Sequence, residues 1–163
     1  MPANTSVWRE GIIAGVLGAA GVAVWFLGVD LIAGSPLRTP AALGGIMLSV
    51  FGGADQGRFI NAVAYTVFHV AAFLAVGLAA SKLVEMSQRM PHLTVGLLLF
   101  FVVFELGFYF VAMAMHQFDI MGTLGWYQVG AANLVAAALM GGYLWQRHPE
   151  LKARITMALD GRI

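Results

Sequence analysis

There is no cysteine among the 163 residues, which excludes disulfides, thiolate metal sites, iron–sulfur clusters and Cys-x-x-Cys redox chemistry. Charge is scarce too. Only 10% of residues are Asp, Glu, Lys or Arg, whereas a soluble domain carries about 25%. The formal net charge is +1, which gives no long-range field to attract nucleic acid. No Gly-x-Ser-x-Gly elbow occurs, and glycine pairs such as Gly52 and Gly53 do not make a phosphate loop. The first ten residues lack the basic stretch that opens a secretory signal. The apolar run after them is too long for a signal core, so it is expected to stay as a first span.

What is present is hydrocarbon. Hydrophobic residues make up 60% of the chain, and the mean hydropathy is +0.83. Four apolar runs, at about 11–32, 59–83, 93–115 and 123–145, reach the ~20 residues that cross a ~30 Å hydrocarbon layer. Inside a bilayer the backbone finds hydrogen-bond partners only within itself, so these runs predict helices. The expected fold is all-α: one membrane domain over 1–163, an integral four-helix bundle lying in the lipid bilayer.

The connection 34–58 is the longest. Its apolar run, about 40–51, is too short to cross. A short interfacial or re-entrant helix is expected there, between spans one and two, capped by Thr39 with Pro40 in its first turn and stopped by Gly52 and Gly53. Such a helix serves either as a lid over the bundle or as a connector on the membrane surface. The stretch 84–92 is expected as a short turn, making spans two and three antiparallel neighbours. The tail 148–160 has the pattern of an amphipathic helix, with Lys152, Arg154 and Arg162 suited to anionic headgroups.

Arg9, Lys82, Arg89, Arg147, Lys152, Arg154 and Arg162 fall on one side of this topology, and only Arg38 and Arg58 on the other. By the positive-inside rule both termini are expected in the cytoplasm.

Small residues line two of the spans: Gly11, Gly15 and Gly18 on the first, Ala137 and Gly141 on the fourth. Such faces let membrane helices approach closely. They are equally explained by the general enrichment of glycine in membrane helices.

Polar side chains fall in layers. With alternating helix directions, His69, Glu105 and Asn133 all lie ~15 Å below the outer surface. Tyr65 and Tyr109 form a shallower layer. Asn61, His116, Asp30, Asp119 and Gln128 fall near the outer mouth. A carboxylate at membrane depth costs a few kcal/mol or more, so Glu105 is expected to face a partner, and His69 is the best one available.

Three chemistries fit. A His69–Glu105 pair reaching outward through tyrosines to His116 suits protons, ions or a small ligand. His69, Glu105, His116 and Asp119 offer nitrogen and oxygen ligands for a metal, although the paired Glu-x-x-His of di-iron bundles is missing. Bis-histidine haem within one chain is disfavoured, because His69 and His116 differ by ~15 Å in depth. No cofactor is therefore expected. The plainest alternative is a buried polar cluster that only selects which helices pack together. Catalysis has little support, because Ser35, Ser49, Ser81 and Ser87 all lie away from the deep polar layer.

The segment 25–44, WFLGVDLIAGSPLRTPAALG, together with YTVFH at 65–69 and FELGF at 104–108, resembles a recurring pattern of small bacterial inner-membrane proteins of unassigned function. That resemblance implies a bacterial inner-membrane location and carries no activity. The leading functional expectation is a non-catalytic membrane subunit or scaffold. It would associate with itself or with other membrane subunits through its small-residue faces.

Overall fold

The structure, a computed structural model, describes residues 3–89 and 126–149. Those residues form four helices and no strand: α1 (Ala3–Ile32), α2 (Arg38–Val50), α3 (Arg58–Arg89) and α4 (Trp126–Arg147). The expected third span, 93–115, and the tail beyond 149 lie outside the described residues.

Two stretches, Val7–Ile32 of α1 and Arg58–Ser87 of α3, are long and apolar enough to cross a membrane. Only 33% and 17% of their most apolar stretches are buried inside the protein. Large apolar side chains such as Ile12, Val16, Val24, Val63, Val67 and Phe68 point outward. A soluble core helix hides such side chains, whereas a lipid-facing one displays them.

α1 lies between α3 and α4, which touch each other at few positions. Its contact with α3 is set by glycine. A Cβ on Gly11 would stand 2.7 Å from the Leu78 Cα, and one on Gly15 would stand 2.5 Å from the Phe73 carbonyl oxygen. From the other side, a Cβ on Gly77 would overlap the Gly11 carbonyl and the Gly15 nitrogen. The two backbones therefore meet directly, where dispersion rather than the hydrophobic effect holds helices together in lipid.

This contact also fixes direction. Gly11 faces Leu78, Ala19 faces His69, and the Ser81 hydroxyl donates to the Val7 carbonyl at 3.0 Å, so α1 and α3 are antiparallel. Gly18 meets Met140, Gly21 meets Leu139, and Glu10 meets His148, so α4 is antiparallel to α1 as well. α4 turns Ala132, Ala136, Met140 and Leu144 inward, a stripe at helical spacing that packs with Ala14, Ala19, Val22 and Phe73.

The helix ends follow local rules. α1 stops where Gly34, at φ 67, lets its own N–H reach the Leu31 carbonyl and the Ser35 N–H reach the Asp30 carbonyl. α2 stops in the same way: Gly52, at φ 76, donates to Ser49, and Gly53 donates to Leu48 at 2.8 Å.

Two boundaries differ from expectation. Residues 84–89 continue α3 instead of forming a turn. Val84 and Ser87 are fully enclosed, Ser87 donates to the Val84 carbonyl, and Lys82 pairs with Glu85 at 2.6 Å. Burial of this end against the rest of the chain outweighs the loss of hydropathy that suggested a turn. α2 begins at Arg38, one residue before Thr39, and its capping residue is Leu37, at φ 64, with no side-chain cap of its own.

The glycine contact generates a paired expectation. Gly77→Ala should destabilise the protein by about 1–3 kcal/mol through overpacking, read as a lower unfolding midpoint in mild detergent. Gly28→Ala, where a Cβ meets nothing within 4 Å, should leave the midpoint unchanged or raise it.

Candidate functional site

The polar groups of α3 lie along one face, beginning at its first turn. Asn61 is buried; its amide nitrogen donates to Asp55 Oδ1 at 2.8 Å, and its oxygen accepts from the Gln56 N–H at 3.3 Å. Asp55 Oδ1 also accepts the Gly57 N–H at 2.9 Å. Asn61 further serves as the crossing point of α2, since a Cβ on Gly44 would overlap its carbonyl group. Glycine is required at 44 for that reason.

One turn deeper is Tyr65, whose ring centroid lies 5.6 Å from that of His69. Phe73 is on the far side of the imidazole, at 4.7 Å and tilted by 52°. His69 is 9% exposed, and its Nε2 is 3.3 Å from the Ala19 carbonyl oxygen of α1. A carbonyl only accepts, so Nε2 carries the hydrogen. Glu105, the expected partner of His69, lies outside the described residues, as do Tyr109, His116 and Asp119. Asn133 and Gln128 are half-buried on α4. No group of three His, Asp or Glu side chains that could hold a metal ion occurs among the described residues.

Asp30 stands near the end of α1 where an open mouth was expected, but it is enclosed, at 2% exposure. Its two carboxylate oxygens accept the Thr39 N–H at 2.8 Å and the Thr39 hydroxyl at 2.7 Å. The cap of α2 therefore comes from a carboxylate nine residues back, aimed at the partial positive charge of a helix N-terminus. The Thr39 hydroxyl donates to that carboxylate instead of capping its own helix. Leu37 pays for this with a left-handed backbone, a conformation that costs a branched side chain roughly 1–2 kcal/mol. Arg58 reinforces the corner by donating from Nη2 to the Ser35 hydroxyl at 2.9 Å and to the Pro36 carbonyl at 2.6 Å.

The packing residues separate into two groups. Gly11, Gly15 and Gly18 are filled by α3 and by Met140. On α4, Ala137 is half-buried, whereas Gly141 and Gly142 are exposed, with nothing among the described residues within 4 Å of a Cβ built on either.

Sequence reasoning missed three partners. Gly77 is the counterpart of the α1 glycines, and it is the lone glycine of span two. Glu10 and His148 meet at 2.8 Å, tying the start of α1 to the residue after α4. The depth rule that brings His69 and Asn133 level also brings those two ends level. The Asp55–Asn61 bond was hidden because Asp55 lies in a loop with no periodicity.

Comparison with protein-family models, with curated proteins and with solved structures finds no match.

Two outcomes follow from this geometry. Asp30→Ala strands the buried Thr39 donors, at a cost of about 1–3 kcal/mol. Deuterium uptake should rise across α2, while the α1–α3 contact stays protected. The Asp55 carboxyl, outside the membrane-length stretches, is held below its ordinary value first by the Gly57 N–H and then by the Asn61 amide. Its contribution to stability is therefore complete above the unfolded carboxyl value and is lost as pH falls through the lower folded value. Carbon-13 titration of Asp55 should show this depression, and Asn61→Ala should remove only part of it.

Proposed function

We propose that the chain is a non-catalytic, multi-pass subunit of a bacterial inner membrane that associates with itself or with other membrane subunits. The carrying observation is the contrast between its two small-residue faces. On α1 every glycine of the face is consumed by α3 or α4. On α4, Gly141 and Gly142 are exposed and meet nothing among the described residues. Glycine in a helix interior costs about 1 kcal/mol relative to alanine, and a close neighbouring helix is what offsets that cost in lipid.

Topology supports the four-crossing form. α3 and α4 both run antiparallel to α1, so Arg89 and Trp126 stand at opposite ends of the bundle. Residues 90–125, with their apolar run at 93–115, join those ends and have the length to cross once more. The same arrangement gathers Arg9, Lys82 and Arg147 at one end, with Arg38 and Arg58 at the other. By the positive-inside rule, that distribution supports cytoplasmic termini. α2 then lies on the outer side, latched across α3.

A second reading is favoured by one observation: His69 is enclosed, yet one ring nitrogen has no hydrogen-bond partner among the described residues. On this reading the His69–Glu105 level is an interior site for a proton, an ion or a small ligand, approached from the outer side past Asn61 and Tyr65.

Size-exclusion chromatography with light scattering in mild detergent tests the first reading. The expected mass is a multiple of the 17.4 kDa chain, or that chain with a companion membrane protein. Gly141→Leu with Gly142→Leu should return it to a monomer with an unchanged unfolding midpoint. A monomeric wild-type protein with nothing bound to it overturns the proposal.

A further inference from the structure

The imidazole of His69 is oriented by contacts on three sides. Nε2–H is spent on the Ala19 carbonyl, and rings from the same helix, Tyr65 and Phe73, lie above and below it. Nδ1 meets no hydrogen-bond partner among the described residues. A histidine whose N–H is fixed by a backbone carbonyl holds one tautomer, and its other nitrogen becomes a directed lone pair. We propose that His69 Nδ1 is a proton-binding site reached from the outer end of α3. This rests on the second reading above and names the proton as its ligand.

The surroundings favour a proton over a larger cation. α1 carries no titratable side chain between Glu10 and Asp30, and α3 carries no charged one between Arg58 and Lys82. α4 offers only Tyr127 and Tyr143 before Arg147, and α2 only Arg38. A metal ion or sodium placed at Nδ1 would therefore find no anionic side chain between those positions on the described helices, whereas a proton needs only one lone pair. The step balances simply: an N–H bond forms at Nδ1, the donor loses that proton, and the neutral imidazole becomes imidazolium.

Both flanking ring centroids lie within ~6 Å, the range in which aromatic faces attract a cation. The Ala19 carbonyl keeps its hydrogen bond in both states, so protonation requires no helix movement. Toward the outside, Tyr65 and then Asn61 follow at one-turn spacing, and Asn61 is bonded to the exposed carboxylate of Asp55. That carboxylate is the anionic group at the outer end of the row.

The test is nitrogen-15 spectroscopy of histidine-labelled full chain in lipid nanodiscs across about pH 4 to 9, spanning histidine's ordinary range. His69 is assigned by its disappearance in His69→Gln, whose amide can still donate to Ala19. The expected result is a single Nε2–H neutral form at high pH, converting reversibly to imidazolium as pH falls. A neutral form carrying its hydrogen on Nδ1 overturns the proposal, and so does an imidazole that never protonates before the fold is lost. Repeating the titration in Glu105→Gln separates the two claims. A displaced curve supports both the proton site and the His69–Glu105 pairing. An unchanged curve keeps the proton site and removes Glu105 from it.

Discussion

Two helix backbones in direct contact are the constraint on which the rest of this structure depends. Gly11 and Gly15 of α1 leave no side chain between themselves and Gly77 of α3. The contact restricts the register, because moving either helix by a residue would drive a larger side chain into the opposing backbone. Everything along α3 is then set relative to α1. Ser81 comes level with the Val7 carbonyl, His69 with the Ala19 carbonyl, and Phe73 with Gly18. In lipid, a water-driven hydrophobic force cannot select this arrangement, so shape and a few hydrogen bonds must.

The two ends of the bundle are finished differently. At one end, α1 and α4 are joined by Glu10 and His148, and α1 and α3 by Ser81. At the other, a corner of ion and backbone contacts folds α2 onto α3. Asp30 has two tasks there. Its backbone carbonyl closes the end of α1, and its carboxylate opens α2. A buried carboxylate is tolerable because both oxygens accept hydrogen bonds at a helix N-terminus. The Arg58 guanidinium, bonded to Ser35 and Pro36, holds the connecting backbone in a shape that Leu37 alone would not choose.

Between those ends the described helices carry no charged side chain, which gives His69 its importance. Its N–H donates to a carbonyl of α1, and in a membrane such an interhelical hydrogen bond contributes about 0.6 kcal/mol on average. That is too little to be the sole source of specificity beside the glycine contact. The imidazole adds one lone pair, aimed by the tautomer that Ala19 selects.

The sequence by itself determined the helical class and the membrane-length stretches now seen in α1 and α3. It also determined where α1 and α2 stop, because hydropathy, periodicity and left-handed glycines act over a few neighbouring residues. Gly34 and Gly52 end their helices for reasons visible within six residues. Asn61, Tyr65 and His69 share a face because their spacing is four. The tertiary structure alone decided which residue each would meet. Ala19 and His69 are 50 residues apart, and Glu10 and His148 are 138 apart. Asp30 capping a foreign helix, Gly77 receiving the α1 glycines, and α3 running on to Arg89 all depend on how two helices slide against each other. That register is chosen by the summed fit of whole faces, a property that no local stretch of sequence contains.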